Sequence, residues 1–311
     1  MSSPAEARLV STGNVLVDLI ATVPALPARG ADIRATGSSI APGGGFNAML
    51  AATRQGLPAV YAGGHGTGYF GDLVRAALAG AGIETLLPVT PGSDSGHDIA
   101  LVDDGGERTF VTVFGAEAEL TAGQVASITL RAGDLILVSG YGLLAATNGA
   151  VLAPWIVDLP ASHTVLLDPG PLVGDLEPAV LEAVLGRVDW LSCNEREAMI
   201  LTGEADPETA IGILSRRNAG VLVRLGAEGC LLGHNGIVER VPGYRVVAID
   251  TNGAGDAHSG AFLAALAAGL APREAAARAN ACAAIAVTRR GPATAPTLDE
   301  VLQLMSGKNS G

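Results

Sequence analysis

The sequence predicts an α/β fold: a doubly wound, mostly parallel sheet flanked by helices, carrying a small β-sheet lid. Short apolar, β-branched-rich runs occur at 9–10 leading into Gly13, and at 59–62, 135–139, 164–168, 190–193, 220–225 and 246–250. None alternates with a strict period of two, as expected of strands covered on both faces. Amphipathic helical patterns lie between them at 47–55, 71–81, 178–185, 195–201, 257–268 and 273–287, and this alternation implies parallel strands joined by helices. Two stretches in the N-terminal half, about 18–39 and 97–114, break the rhythm.

Each interruption has its own signature. The first contains Pro24, Pro27 and Gly30, which interrupt regular structure. The second sets two strand-like runs, 97–102 and 108–113, around Asp103-Asp104-Gly105-Gly106, a hairpin signal. Paired together, the two stretches predict a small sheet standing off the main body. The 311 residues are then one large α/β domain, 1–311, with this lid inserted in its first half.

Composition narrows the partners. With 49% hydrophobic and 16% charged residues the chain can bury a sizeable core. Its 31 acidic against 19 basic residues give a formal net charge of −12, which argues against nucleic acid or an anionic membrane surface as partner. Any phosphate site must therefore be built locally. Residues 1–6 lack a basic segment followed by an apolar run, and the later apolar stretches are interrupted by Arg278, Asn280 or glycines, so a cytoplasmic protein is expected. Cys193, Cys230 and Cys282 are widely spaced in apolar sequence and read as buried thiols.

The most informative segment runs from Val246 through Asp250-Thr251-Asn252-Gly253-Ala254-Gly255-Asp256. An apolar run enters a glycine turn that ends on a carboxylate near the start of a helix. Gly253 and Gly255 have no Cβ to hold an anion away, and a helix start points free backbone N–H groups at whatever sits there. The arrangement outlines a phosphoryl-transfer site. Asp256 would take the proton of an acceptor hydroxyl while the N–H groups of Ala254 to Asp256 hold developing charge, the helix end keeping Asp256 ionised. The bland alternative is an ordinary helix cap.

At this point the chain resembles the ribokinase-like, or PfkB, carbohydrate kinases, over nearly its whole length. The C-terminal signature is similar to residues 250–261, and the N-terminal one to Pro42-Gly43-Gly44-Gly45-Phe46-Asn47, with Gly56 and Gly66 at later glycine positions. The resemblance implies a ribokinase-like fold whose lid doubles as a homodimer surface, ATP and Mg2+ as cofactors, and a sugar as acceptor. It places the sugar-gripping acid on Asp18 in Gly13-Asn14-Val15-Leu16-Val17-Asp18, with Asn14, Gly43, Gly44, Gly45, Asn47 and Asp168 around the sugar. A carboxylate can accept from two hydroxyls, and an amide offers both a donor and an acceptor.

The donor side follows from the same resemblance. Asn194-Glu195-Arg196-Glu197 is similar to the family's Asn-x-x-Glu, with Glu197 acting on magnesium through its water shell, although a solvated first helical turn reads the same way. Arg224, Gly226 and Gly229 match the nucleotide-side turn and Asn280 a position near the adenine, or else a hairpin turn and a polar helix face. Asp250 and the carbonyl of Asn252 match the place of a monovalent cation such as K+, or Asp250 simply caps the turn. His258 follows Asp256 on the helix and reads as packing.

Two departures mark the substrate as unsettled. The glycine loop before Asn47 is a residue shorter than that of ribokinase and has no lysine, and Tyr141-Gly142 replaces a glutamate, which suggests a more apolar pocket. An ATP-dependent sugar kinase is expected, with a nucleoside kinase or a non-catalytic sugar-binding relative as alternatives. The first lid stretch has no aromatic residue and the second only Phe110 and Phe114, which favours a sugar over a stacked base. Gly66-Thr67-Gly68-Tyr69-Phe70-Gly71 matches the dinucleotide fingerprint literally, but it is not the first strand-to-helix turn, so a nicotinamide dehydrogenase is set aside.

Overall fold

The computed structural model describes residues 7–105 and 107–307; residues 1–6, on which the reading of the N-terminus rests, and Gly106 of the hairpin signal lie outside them. The strands are β1 Leu9–Ser11, β2 Val15–Thr22, β3 Gly37–Gly44, β4 Ala59–Tyr61, β5 Glu84–Thr85, β6 His97–Val102, β7 Arg108–Val113, β8 Leu135–Ser139, β9 Thr164–Asp168, β10 Trp190–Asn194, β11 Gly220–Arg224, β12 Gly229–His234 and β13 Ile237–Pro242. Nine of them form one sheet in the order β13-β12-β11-β10-β9-β8-β1-β4-β5, parallel except for the hairpin at the β13 edge. The strand order reverses between β1 and β8, where α/β sheets open a crevice at their carboxyl ends.

The apolar runs are explained by two cores, one on each face of this sheet. Leu137, Leu166 and Leu222 point into one, and Ile136, Val138, Val165, Leu167, Val221 and Val223 into the other. The last residue of each of β8, β9, β10 and β11 escapes full burial, so Ser139, Asp168, Asn194 and Arg224 stand together along the carboxyl edge.

One predicted strand is absent. Residues 246–250 form no ladder: Val247 is 84% exposed, and the N–H groups of Ile249 and Asp250 both reach a single acceptor, the carbonyl of Val287. A β-branched run favours extended backbone, but a strand needs a neighbour, and the sheet edge here is already taken by β13. That β12–β13 hairpin was not expected. It turns at Asn235-Gly236, both with positive φ, as a tight two-residue hairpin requires.

The remaining strands pair as a separate four-stranded sheet in the order β3-β2-β6-β7. The first interruption supplies its ends rather than its middle: β2 begins three residues before Asp18, and the Pro24–Gly30 region is an exposed connection. Two features tie this sheet to the body. Only residues 12–14 separate β1 from β2, and β3 passes straight into the helix Gly45–Arg54, where the N–H of Gly45 donates to the carbonyl of Asn14 at 2.7 Å. On the other side the buried carboxylate of Glu117 accepts from the N–H of Gly96 and of Gly115, each at 2.8 Å, clasping both ends of the β6–β7 hairpin.

Small residues bring two site-bearing helices together. A Cβ on Gly260 of helix Ala254–Ala267 would lie 2.2 Å from the carbonyl oxygen of Ala48 in helix Gly45–Arg54, so only glycine permits this crossing. Their first turns consequently meet at the crevice.

The literal dinucleotide fingerprint has a structural explanation. The helix Tyr69–Gly80 begins there, but its free N–H groups at Phe70 and Gly71 are taken by the carboxylate of Asp94, at 3.2 and 2.7 Å. A Cβ on Gly66, Gly68 or Gly71 would strike Ser93, Asp94 or Gly66 at 2.1–2.6 Å, so close packing accounts for all three glycines.

Candidate active site

A cavity of about 510 Å³ opens at the reversal point, roofed by the cavity-facing side of the small sheet. Its floor carries Asp256, on the first turn of helix Ala254–Ala267, which begins three residues before the predicted start because Gly253, in the left-handed region at φ 72°, makes the turn. A Cβ on Gly253 would lie 2.4 Å from the carbonyl oxygen of Pro292. The N–H of Ala254 reaches back to Thr251 at 3.3 Å, so the anion hole narrows to the N–H groups of Gly255 and Asp256, which an α-helix start leaves without intrahelical acceptors.

Asp256 is held by the side-chain N–H of Asn47 at 3.1 Å. Burial pushes its carboxyl up to about 7, with the negative charge of Asp168 adding to the rise and Asn47 and Arg224 opposing it. The expectation that the helix end keeps Asp256 firmly ionised is thereby corrected: desolvation outweighs the dipole. A base titrating near neutrality suits proton transfer.

Under Asp256 lies a network that the sequence did not disclose. The Arg224 guanidinium donates to Asp168 at 3.0 Å and Ser192 at 2.6 Å and approaches Glu197 at 3.5 Å, while the Ser259 hydroxyl donates to Asp168 at 3.1 Å. Arg224 thus joins Asp168 to Glu197, against the backbone of Gly255. Asn194 and Glu197 form a capping box at the helix Glu195–Thr202, with reciprocal bonds of 2.8 to 2.9 Å. Glu197 is buried rather than solvated, and its carboxyl is raised by burial and by Asp168.

The acceptor end takes Asn14, Asp18, Gly44, Gly45 and Asn47 from the predicted set. Gly43 lies beneath Asp18, where a Cβ would meet the carboxylate oxygen Oδ1 at 2.2 Å. Burial pushes the Asp18 carboxyl up to about 7, with nearby Asp98 adding to the rise and Arg108 lowering it. Asp98 was missed by sequence reading, and it makes this end more acidic than the apolar pocket that Tyr141 suggested. Tyr141 does line the cavity, its phenol pushed up to about 12 by burial and the surrounding acids. Phe110 and Phe114 line it as well.

Other predicted residues stand elsewhere. Gly226 and Gly229 flank the turn Gly226–Glu228 that opens β12, and neither is among the residues lining the cavity. Asn280 is buried between helices and sheet edge, donating to the carbonyls of Val241 and Pro242 at 3.1 and 3.2 Å and bonding the ring of His258 at 3.1 Å. His258, stripped of solvent, is pushed down to about 3 and stays neutral. The carboxylate of Asp250 is taken up by Arg108 of β7 and by the N–H groups of Asn252 and Gly291, each at 2.9 Å. These bonds fix the turn, as the capping alternative expected, and anchor the small sheet.

A profile described as pfkB family carbohydrate kinase matches residues 6–298. The chain belongs to the pfkB family of carbohydrate kinases. This pfkB kinase is similar to the uncharacterized sugar kinase YegV of Escherichia coli (strain K12), at 34% identity over 296 residues that cover 93% of this chain and 91% of that one. It is also similar to the ribokinase of Haemophilus influenzae, at 29% identity over 96% of this chain and 98% of that protein. The solved ribokinase of Cryptococcus neoformans var. grubii serotype A, described as a complex with ADP, superposes at a TM-score of 0.80 and 25% identity, covering 96% and 99% of the two chains. The ribokinase-like fold with its separate small sheet, expected from the residues, is the fold these relatives share, and an ATP-dependent sugar kinase is the activity they carry in common.

Proposed function

We propose that this pfkB kinase transfers the terminal phosphoryl group of ATP to a hydroxyl of a small sugar lying between Asp18 and Asp256. The observation that carries the reading is the placement of the Asp256 carboxylate, held by Asn47, beside the open N–H groups of Gly255 and Asp256 at the head of one helix. Asp256 accepts the hydroxyl proton as the oxygen attacks, and the two N–H groups stabilise charge on the transferred group. Arg224, on the far side of Gly255, adds positive charge to the same wall.

Magnesium fits the donor set. Glu197, with Asn194 beside it, offers a buried carboxylate at the donor end, and an ion that keeps most of its waters needs few protein oxygens. Bound there it would offset the charge of the nucleotide phosphates.

Phe110 and Phe114 support the second reading, a nucleoside acceptor whose base lies against them. A panel of pentoses, hexoses, sugar acids and nucleosides assayed for ADP release distinguishes the two. Asp256→Asn should lower kcat by roughly 10²–10⁴-fold and flatten the rise of kcat/KM near pH 7. The kinase reading fails if no acceptor raises ADP release above the ATP-only rate, or if the variant keeps full activity.

The outer face of the small sheet supports a homodimer. Ile40, Leu19, Ile99 and Val111 occupy one register row across all four strands, turned away from Asp18 and Asp98, and Ile40, Ile99 and Val111 are exposed. An apolar row of this kind suits burial against a second copy. Among the described residues no helix is long and apolar enough to cross a membrane.

A further inference from the structure

The acceptor end of the cavity holds more hydrogen-bond acceptors than its own donors can serve. Asp18 and Asp98 are register partners in the parallel pair β2–β6, and Thr112 is the partner of Asp98 in β7, so two carboxylates and a hydroxyl share one row of the roof. Strands in register stand about 4.8 Å apart, close enough for the two acids to touch neighbouring groups of one ligand. Asp98 Oδ1 is buried without a partner. The same holds for Asn14 Oδ1 and Asn47 Oδ1, on side chains of residues only 4% and 5% exposed.

The amide orientations are fixed by their other ends. Asn14 Nδ2 donates to the carbonyl of Tyr141 at 3.3 Å and Asn47 Nδ2 to Asp256, so in each amide, on a residue that lines the cavity, the oxygen is the atom left without a partner. The cationic donors that reach the cavity are committed in turn, Arg108 to Asp250 and Arg224 to Asp168, Ser192 and Glu197. Unmet acceptors beside committed cations form the complement of a molecule rich in O–H donors and free of negative charge.

We propose that Asp98 is a specificity-determining residue which, side by side with Asp18, grips hydroxyls of a neutral polyhydroxylated sugar and bars acceptors that carry a carboxylate or phosphate. The inference rests on the sugar-kinase reading for its ligand class, and it assigns the roof a role that Asp18 alone does not fill. A ligand hydroxyl can donate to either acid, the bond being stronger where the carboxylate is charged, and a further negative group at the same point is opposed by whichever of the two acids is ionised in that desolvated wall.

The test measures binding without turnover. Isothermal titration calorimetry of the full chain with D-ribose, D-fructose, D-gluconate and D-ribose 5-phosphate is compared between the wild type, Asp98→Asn and Asp98→Ser, with Asp103→Asn in the exposed hairpin turn as control. At least one neutral sugar should bind the wild type more tightly than either anion. Both Asp98 variants should weaken it by about 10–100-fold, and Asp98→Asn should narrow the gap to D-gluconate. Unchanged ADP binding and thermal unfolding show that the variants are folded. Equal neutral-sugar binding by the Asp98 variants, tighter binding of an anion by the wild type, or no binding of either neutral sugar each overturns the proposal. Sugar binding that depends on Asp98 without any ADP release would instead overturn phosphoryl transfer and leave the role of Asp98 standing.

Discussion

Removing the Arg108 guanidinium should loosen the acceptor site without unfolding the protein. Arg108 lies on β7 of the small sheet and pairs with Asp250 of the main body, with side-chain exposures of 15% and 13%, so the pair spans the two sheets in a largely dehydrated place. Breaking a fully buried pair costs about 3–5 kcal/mol, because one charge is stranded. Asp250 is not stranded here, since the N–H groups of Asn252 and Gly291 still hold it, so Arg108→Ala should cost about 2 kcal/mol. That cost falls on the roofed arrangement, and about 30-fold on the sugar KM is the equivalent. Loss of Arg108 also removes a positive charge that lowers the Asp18 carboxyl, which pushes in the same direction. The assay is steady-state ADP release over sugar concentration, run as a double-mutant cycle with Asp250→Asn. A coupling of about 1–2 kcal/mol in sugar KM, with the thermal midpoint of Arg108→Ala near that of the wild type, is expected. A sugar KM within twofold of the wild type, or full additivity of the two changes, would refute the reasoning.

Two further outcomes are expected. Asp256 takes up its proton near pH 7 in the folded protein and near 3.8 when unfolded, so the folded state binds more protons between those values and stability falls as pH rises through that window. Asp256→Asn removes this dependence, and its stability relative to the wild type should improve by about 2 kcal/mol between pH 5.5 and 8 in ligand-free thermal melts. His65 and His258 are held neutral and pull the other way below pH 6.5, but they are common to both proteins and cancel in the difference. A pH-independent difference would show that Asp256 is not desolvated. Placing a charge on the exposed row with Val111→Glu should convert a dimer to a monomer by sedimentation equilibrium, and an unaltered mass would exclude that face as the interface.

The central strands were legible because a parallel strand covered on both faces has no choice but to be apolar throughout. The run at 246–250 carries the same pattern and is no strand, since composition cannot say whether a neighbour is available. The β12–β13 hairpin has a local signal in Asn235-Gly236, but its two arms, Gly229–His234 and Ile237–Pro242, mix glycine, histidine and charged residues with the apolar ones and do not stand out as strands. Within the site, Asp18, Asn47 and Asp256 were readable from local motifs. Asp98 was not, because which face of β6 turns to the cavity depends on its register with β2, 80 residues earlier in the chain. The Arg108–Asp250 and Arg224–Asp168 pairs, 142 and 56 residues apart, leave no local trace. Asn280 shows a related ambiguity: a polar residue on a buried helix can serve a ligand or a strand edge, and its side chain bonds the edge carbonyls of Val241 and Pro242.

The three-residue link between β1 and β2, the passage of β3 into the helix Gly45–Arg54, the carboxylate of Glu117 and the Arg108–Asp250 pair hold the small sheet over the body. Asp18 and Asp98 belong to the small sheet, whereas Asn47 and Asp256 belong to the body, so the grip on an acceptor is divided between two parts of the fold that face each other across the cavity. Water is the most abundant hydroxyl compound near any such site, and it is too small to bridge that gap. An acceptor that reaches both parts is fixed with its hydroxyl at the base, which a water molecule at Asp256 is not, and that difference guards the nucleotide against wasteful hydrolysis. The ATP-only rate in the ADP-release assay measures how well that guard holds.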